Sequence, residues 1–290
     1  MREINIDSII DLISRLCIDA NYYLNKDIEN ALSCSLAHED SPVGKNVIEK
    51  LIENANIARE EQMPICQDTG MTVVFIEIGM DVHIHTNGIS LEEAINEGVR
   101  RGYKTGFLRN SVVKDPINRI NTNDNTPAVI HYSIVTGDKV KITVAPKGFG
   151  SENMSALKML APSAGIEGIK KFVIDTVSSA GSNPCPPIIV GVGVGGTMEK
   201  CAFLGKKALL RPLLQAQRVE ADSQNEDMFW RRVEMELLDE INALGIGPAG
   251  FGGRTTALCV NIETFPTHIA GLPVAVNIGC HVNRHKEGIL

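Results

Sequence analysis

The residues of this chain best suited to chemistry begin at Cys66, where a thiol is followed at once by an amide, a carboxylate, a hydroxyl and a glycine, Cys66-Gln67-Asp68-Thr69-Gly70. Pro64 fixes φ on one side and Gly70 offers positive φ on the other, so the segment reads as a shaped loop that displays Cys66, Gln67 and Asp68. A second cysteine, Cys185, sits between prolines in Gly181-Ser182-Asn183-Pro184-Cys185-Pro186-Pro187, and a third lies in Asn277-Ile278-Gly279-Cys280-His281. Their separations (185 − 66 = 119 and 280 − 185 = 95 residues) exclude a local metal finger, so any shared site has to be assembled by the fold. Three thiolates on rigid turns suit an iron–sulfur cluster in which one iron has no protein ligand and stays open as a Lewis acid. Two other readings use the same residues. One is a zinc site of Cys66, Cys185, Cys280 and a histidine such as His281; the other is a structural or regulatory subunit whose three thiols bind nothing.

Bulk properties narrow the class. At 290 residues, with 43% hydrophobic and 22% charged residues, the chain has the composition of a soluble globular protein with a substantial core. A net charge of −7 without a concentrated basic stretch argues against nucleic acid. No run approaches the ~20 apolar residues of a membrane span. The N-terminus, Met1-Arg-Glu-Ile-Asn-Ile-Asp-Ser, lacks the apolar core of a secretory signal, so the expected compartment is the cytoplasm. Seven cysteines, an odd number in a long chain, fit reduced thiols better than a disulfide framework.

The elements that must position these loops can be read from periodicity. Ile9, Ile10, Ile13 and Leu16 give residues 6–35 a helical face, and Val47, Ile48, Leu51, Ile52 and Ala55 do the same for 44–60. Cys17 and Cys34 belong to these helices and read as small hydrophobes. Met71–Ile78 reads as the strand that anchors the Cys66 loop. Ser90 and Glu93 form a capping-box pattern opening a helix to about Tyr103. Val129–Val135 and Val140–Ala145, joined by Thr136-Gly-Asp-Lys139, read as a hairpin delivering the glycine loop around 148–150, with a helix expected after it near Asn153 or Ser155. A helix over 167–180 precedes the Cys185 loop. Gly191-x-Gly193-x-x-Gly196, with Glu220 at the spacing of a ribose acid, matches a dinucleotide fingerprint formally, but the surroundings lack its alternating strand–helix pattern. Close backbone packing beside the Cys185 loop is the simpler account. A helix over 226–244, a β-rich run over 254–265 and a strand over 274–278 complete the chain, with Cys201 and Cys259 expected in the core.

Four segments, taken together, carry a resemblance. Cys66-Gln-Asp-Thr-Gly70, Pro146-Lys-Gly-Phe-Gly-Ser-Glu-Asn153, Asn183-Pro-Cys-Pro-Pro187 and Gly279-Cys-His281 resemble the iron–sulfur class I fumarate hydratases. More closely, the chain is similar to the alpha subunit of the two-subunit form, whose near relative is the alpha subunit of L-tartrate dehydratase. The resemblance implies a [4Fe-4S] cluster held by Cys66, Cys185 and Cys280, with Asp68 and His268 catalytic and Gln67, Arg109 and Gly150 binding substrate. It also implies a beta subunit that supplies the proton-abstracting residue and further carboxylate-binding residues, in an α2β2 assembly acting on a fumarate- or malate-type dicarboxylate. Fumarate is preferred to tartrate on the likeness of residues 147–153 and 277–285. The expected architecture is α+β: one catalytic domain over 1–290 with a helical N-terminal part, 1–62, packed on it. Its helices would enclose a mainly antiparallel sheet, with the cysteine loops converging on one iron–sulfur site.

Overall fold

The computed structural model of the chain describes residues 2–213 and 226–290. In chain order the elements are β1 (Arg2–Asn5), α1 (Ile6–Tyr22), α2 (Lys26–His38), α3 (Pro42–Glu60), β2 (Met71–Gly79), β3 (Val82–His85), α4 (Leu91–Thr105), β4 (Val129–Val135), β5 (Val140–Lys147), α5 (Phe149–Glu152), β6 (Ala156–Leu160), α6 (Gly165–Ala180), β7 (Ile188–Gly195), α7 (Met198–Ala208), α8 (Glu226–Ala243), β8 (Ala257–Phe265), β9 (Leu272–Gly279) and β10 (Lys286–Ile289). They fall into two compact units. The first comprises the residues up to Asn25, Asn54–Phe149 and Arg284–Leu290; the second comprises Lys26–Glu53 and Gly150–Asn283.

The first unit is built on a four-stranded sheet in the order β10-β5-β2-β4. α1 starts at Asn5, whose side chain accepts from the Asp7 N–H, and turns Ile9, Ile13, Leu16 and Cys17 inward. α4 opens on the expected capping box, with Ser90 and Glu93 each accepting the other's backbone N–H. Both helices share one core with Val74, Ile76, Val140, Ile142 and Val144 of the sheet. Removing a side chain such as Ile13, which is fully buried, would cost about 2–5 kcal/mol.

The expected hairpin is corrected here. β4 and β5 do not pair with each other: β2 lies between them, parallel to β4 and antiparallel to β5. The turn at 136–139 instead steps across the end of β2, where the Gly79, Met80 and Asp81 N–H groups donate to Lys139, Val135 and Gly137 oxygens at 2.9 Å. Two β-rich runs joined by a glycine turn give the same local signal whether they pair directly or around a third strand.

The second unit has a sheet in the order β6-β9-β7-β8. β7, Ile188-Ile-Val-Gly-Val-Gly-Val-Gly195, is buried along its whole length, as a central strand covered on both faces must be. Val190 and Val192 meet Val173 and Val177 of α6, Leu237 and Ile241 of α8, and Val260, Ile262, Val274 and Val276 of the neighbouring strands in one core. A Cβ on Gly191 would stand 2.3 Å from the Gly205 oxygen, and one on Gly193 would stand 2.2 Å from the Cys201 oxygen. These glycines therefore serve close approach of strand to helix α7, the partner being that helix and not the Cys185 loop. Glu220, the acid of the formal fingerprint, lies outside the described residues.

The mixed α/β character is as expected, but among the described residues the strands form two four-stranded sheets and a two-stranded pair, not one sheet. The helix expected after the glycine loop is also corrected: it starts earlier, at Phe149, and lasts four residues before strand β6. Among the described residues, no helix is long and apolar enough to cross a membrane.

Candidate functional site

In the first unit, the Cys66 loop is pinned on both sides. Ile65 donates to the Asn21 oxygen at 2.9 Å, and its own oxygen accepts from Asn54 at 2.8 Å. Three residues on, the Asp68 carboxylate accepts from two backbone N–H groups, Gly70 at 3.0 Å and Phe149 at 2.9 Å. Gly70 has φ 81°, and a Cβ there would stand 2.7 Å from the Lys147 nitrogen, so only glycine lets the loop lie this close to the end of β5. Beneath it, the buried Tyr103 hydroxyl donates to the Thr69 and Gly70 oxygens at 2.8 and 3.0 Å, and Asn125, fully buried, donates to the Gly70 oxygen at 3.1 Å.

This backbone clamp leaves Gln67 exposed and Cys66 and Asp68 partly exposed. Arg109 joins the same half-site through the Thr69 hydroxyl, which donates to the Arg109 oxygen at 2.9 Å. Its side chain is free to extend, since Arg109 is exposed and the helix α4 ends four residues earlier.

The second unit holds a second half-site. Cys185 has φ 57°, in the left-handed region that a non-glycine residue rarely occupies, and it is exposed while Pro184, Pro186 and Pro187 are buried. Burying the prolines holds the turn and presents the thiol. The Cys185 oxygen is met by the next cysteine loop: the His281 N–H donates to it at 3.4 Å, and His281 Nδ1 lies 3.0 Å away, the geometry of an Nδ1–H tautomer. Cys280, at the end of β9, is thereby fixed beside the Cys185 loop. Gly150 is also local to this half-site, its nearest neighbour in the direction of a Cβ being the Asn183 oxygen at 3.8 Å.

Behind them runs a network that sequence reasoning missed. Glu152 of α5 accepts from Lys206 of α7 and from Asn277 at 3.0 Å, while the Ser155 hydroxyl accepts from the Ile278 N–H at 3.1 Å. Burial holds the Lys206 amine below its ordinary range, opposed by the Glu152 carboxylate. The pairing ties the glycine loop to β9, the strand that leads into Cys280. His268 lies on the exposed stretch after β8, with Nδ1 accepting from the Ala270 N–H at 3.2 Å. Among the described residues, no hydrogen bond links it to Cys185.

The remaining cysteines separate cleanly. Cys17, Cys201 and Cys259 are buried in regular elements, and burial pushes their thiols up to about 12, 11 and 12, so they stay protonated and inert as expected of core thiols. Cys34 departs from its expected packing role: it is exposed on α2, with the His38 ring 3.8 Å away. Among the described residues, no three His, Cys, Asp or Glu side chains are gathered to hold a metal ion. Cys66 belongs to one unit and Cys185 and Cys280 to the other.

A family model described as fumarate hydratase (Fumerase) matches residues 10–289. A Methanocaldococcus jannaschii protein named "Putative L(+)-tartrate dehydratase subunit alpha" is 43% identical over 281 residues, covering 95% of either chain. The L(+)-tartrate dehydratase subunit alpha of Escherichia coli is 29% identical over 289 residues, covering 98% of this chain and 91% of that one.

Proposed function

Because the chain belongs to the fumarate hydratase family, a family of hydro-lyases, we propose that it is the alpha subunit of a cytoplasmic dicarboxylate hydratase that interconverts fumarate and (S)-malate at a [4Fe-4S] cluster held by Cys66, Cys185 and Cys280. The observation that carries this reading is how the seven thiols divide. Three are buried and held protonated, one is exposed on a helix beside His38, and the three in the family's motifs are each partly or fully exposed on loops whose backbones are pinned by hydrogen bonds. Thiolate donors on fixed backbone fit an iron–sulfur group, and three of them leave one iron without a protein ligand.

When bound, such a cluster supplies a Lewis acid that polarises a carboxylate and a hydroxyl without changing its redox state. The chain's own residues do the rest. Asp68, its carboxylate fixed by two N–H bonds, orients water or substrate hydroxyl beside Cys66, and the exposed Gln67 amide donates to a substrate oxygen. Arg109 grips one carboxylate through its planar fork. Gly150, lacking a side chain, lets the substrate approach the backbone next to Asn183, and His268 donates to a carboxylate. A beta subunit supplies the proton-abstracting group and the clamp for the second carboxylate, in an α2β2 assembly.

L-tartrate is the second reading, favoured by the names of the relatives at 43% and 29% identity. Both substrates are dicarboxylates that lose or gain water beside a carboxylate, and discrimination between them rests on a few pocket hydrogen bonds.

The test is anaerobic purification of the chain with its co-expressed beta partner, followed by iron and acid-labile sulfide analysis and assays with fumarate, malate and L-tartrate. About four irons and four sulfides per chain are expected, lost in Cys66→Ser, with turnover of one substrate pair. Stoichiometric zinc, or no metal after reconstitution, would remove the chemical basis of the reading.

A further inference from the structure

The first unit holds a buried arginine that forms no ion pair among the described residues. Arg284 is only 5% exposed. Its Nη2 donates to the Asp68 oxygen, and neither Nε nor Nη1 has a hydrogen-bond partner among the described residues. Among the other buried or half-buried basic groups, Arg211 and Arg231 both reach Glu234 and Lys206 reaches Glu152, while the Lys147 amine donates to the Gly148 oxygen. Arg284 makes no ion pair with any described carboxylate; its bond is to the Asp68 backbone oxygen, while the Asp68 carboxylate accepts from the Gly70 and Phe149 N–H groups. An enclosed guanidinium with two unused donor atoms and no anion is among the costlier features a fold can carry. Its retention calls for an anion that the described residues do not provide.

The chain places Arg284 within reach of such an anion. Asp68, whose oxygen it holds, follows Cys66 by two residues, so their α-carbons lie within about 7 Å of each other. Arg284 also follows Cys280 by four residues (284 − 280 = 4), a tether of at most about 14 Å. Both limits hold by covalent reach alone. A cluster bound by three thiolates carries net negative charge, and such clusters respond to nearby charge through their reduction potential.

We infer that Arg284 is the cluster's counter-charge: one N–H fixes the Asp68 carbonyl, and so the Cys66 loop, while the unpaired positive charge offsets the negative charge of the thiolate-bound cluster. This rests on the iron–sulfur reading above. Arg284 is a positioning residue, since it acts through the loop and the field and touches no substrate.

The test uses the reconstituted complex of the chain with its beta partner, comparing wild type with Arg284→Gln and Arg284→Lys. Iron and sulfide are counted, and the midpoint potential of the cluster is measured by a redox titration followed by electron paramagnetic resonance. The Gln variant is expected to load its cluster but to be reduced at a more negative potential, because a positive charge that favours the added electron has gone; Lys, which keeps the charge, restores most of the wild-type value. A Gln variant that fails to load while Lys loads fully also supports the inference, as the charge is then needed to hold the cluster. A fully loaded Gln variant at the wild-type potential overturns it. So does loss of the cluster in both variants, which would make the guanidinium shape, and not its charge, the requirement. A wild-type complex without iron and sulfide is a different failure: it removes the iron–sulfur reading itself, and the inference with it.

Discussion

Asp68 shows how a candidate catalytic carboxylate is held. Each oxygen accepts one backbone N–H, at 3.0 and 2.9 Å, so the position of the group is set by the backbone around it. Asp68→Asn keeps the size but turns one acceptor into a donor facing an N–H group. Turnover of the complex should fall by about a hundredfold or more, with iron content preserved because Cys66 is untouched. Equal kcat in the two proteins would remove Asp68 from the catalytic list.

Glu39 uses the same device for stability. It is 1% exposed, and its carboxylate accepts from the Asp40, Ser41, Arg254 and Thr255 N–H groups at 2.9–3.1 Å. Burial alone would raise its pKa, but the N–H bonds outweigh it and hold the carboxyl below its ordinary 4.5. A carboxyl depressed in the folded state adds stability above its unfolded pKa and loses it as pH falls through the folded value. Glu39→Gln should therefore cost about 1–3 kcal/mol at pH 7, and the difference should shrink below about pH 4. Urea unfolding of both proteins at the two pH values checks this; a difference that persists undiminished in acid would mean that shape, not charge, is what Glu39 supplies.

At the scale of elements, glycines separate packing from function. Gly193→Ala would push a methyl to 2.2 Å from a backbone oxygen of α7, and a helix backbone cannot yield as a side chain does. The expected cost is about 2–4 kcal/mol or failure to fold, read from the unfolding midpoint. Gly150→Ala meets only one atom within 4 Å, the Asn183 oxygen at 3.8 Å. Stability should stay within about 0.5 kcal/mol while KM for the substrate rises, because the added methyl occupies space a ligand uses. Unchanged KM would leave Gly150 an ordinary turn residue.

These elements also show where the sequence was readable. Ser90 and Glu93 announced the start of α4, and Gly181 the end of α6, because caps are local chemistry. The Cys66 and Cys185 loops were legible for the same reason: proline, glycine and polar side chains lie within a few residues of each thiol. The insertion of β2 between β4 and β5 was not legible, since pairing partners are chosen over long separations and leave no local mark. Arg284 was invisible as a functional residue because nothing in Asn283-Arg284-His285 announces that a guanidinium there will be enclosed without an anion. Lys206 and Glu152 are 54 residues apart, and only the folded chain joins them.

For the whole molecule, the decisive question is how many anionic ends of a dicarboxylate the chain can hold by itself. Its net charge is −7, and most basic side chains of the two half-sites are already committed. Lys147 is buried and bonded to the Gly148 oxygen, Lys206 is bound to Glu152, and Arg284 is enclosed against Asp68. Arg109 is the exposed guanidinium tied to the Cys66 loop, and it suffices for one carboxylate. The clamp for the second is expected from a cation of the beta partner, which would also bring the base for the step in which a proton leaves carbon. The alpha chain loaded with its cluster should thus turn over at least about a hundredfold more slowly than the complex, a missing anion clamp alone being worth that much. Titrating the beta partner into cluster-loaded alpha chain should raise the rate until the two are equimolar and no further. If the loaded alpha chain alone matches the complex, the second clamp and the base lie within these 290 residues, and the commitment of Lys147, Lys206 and Arg284 to structure would have to be reconsidered first.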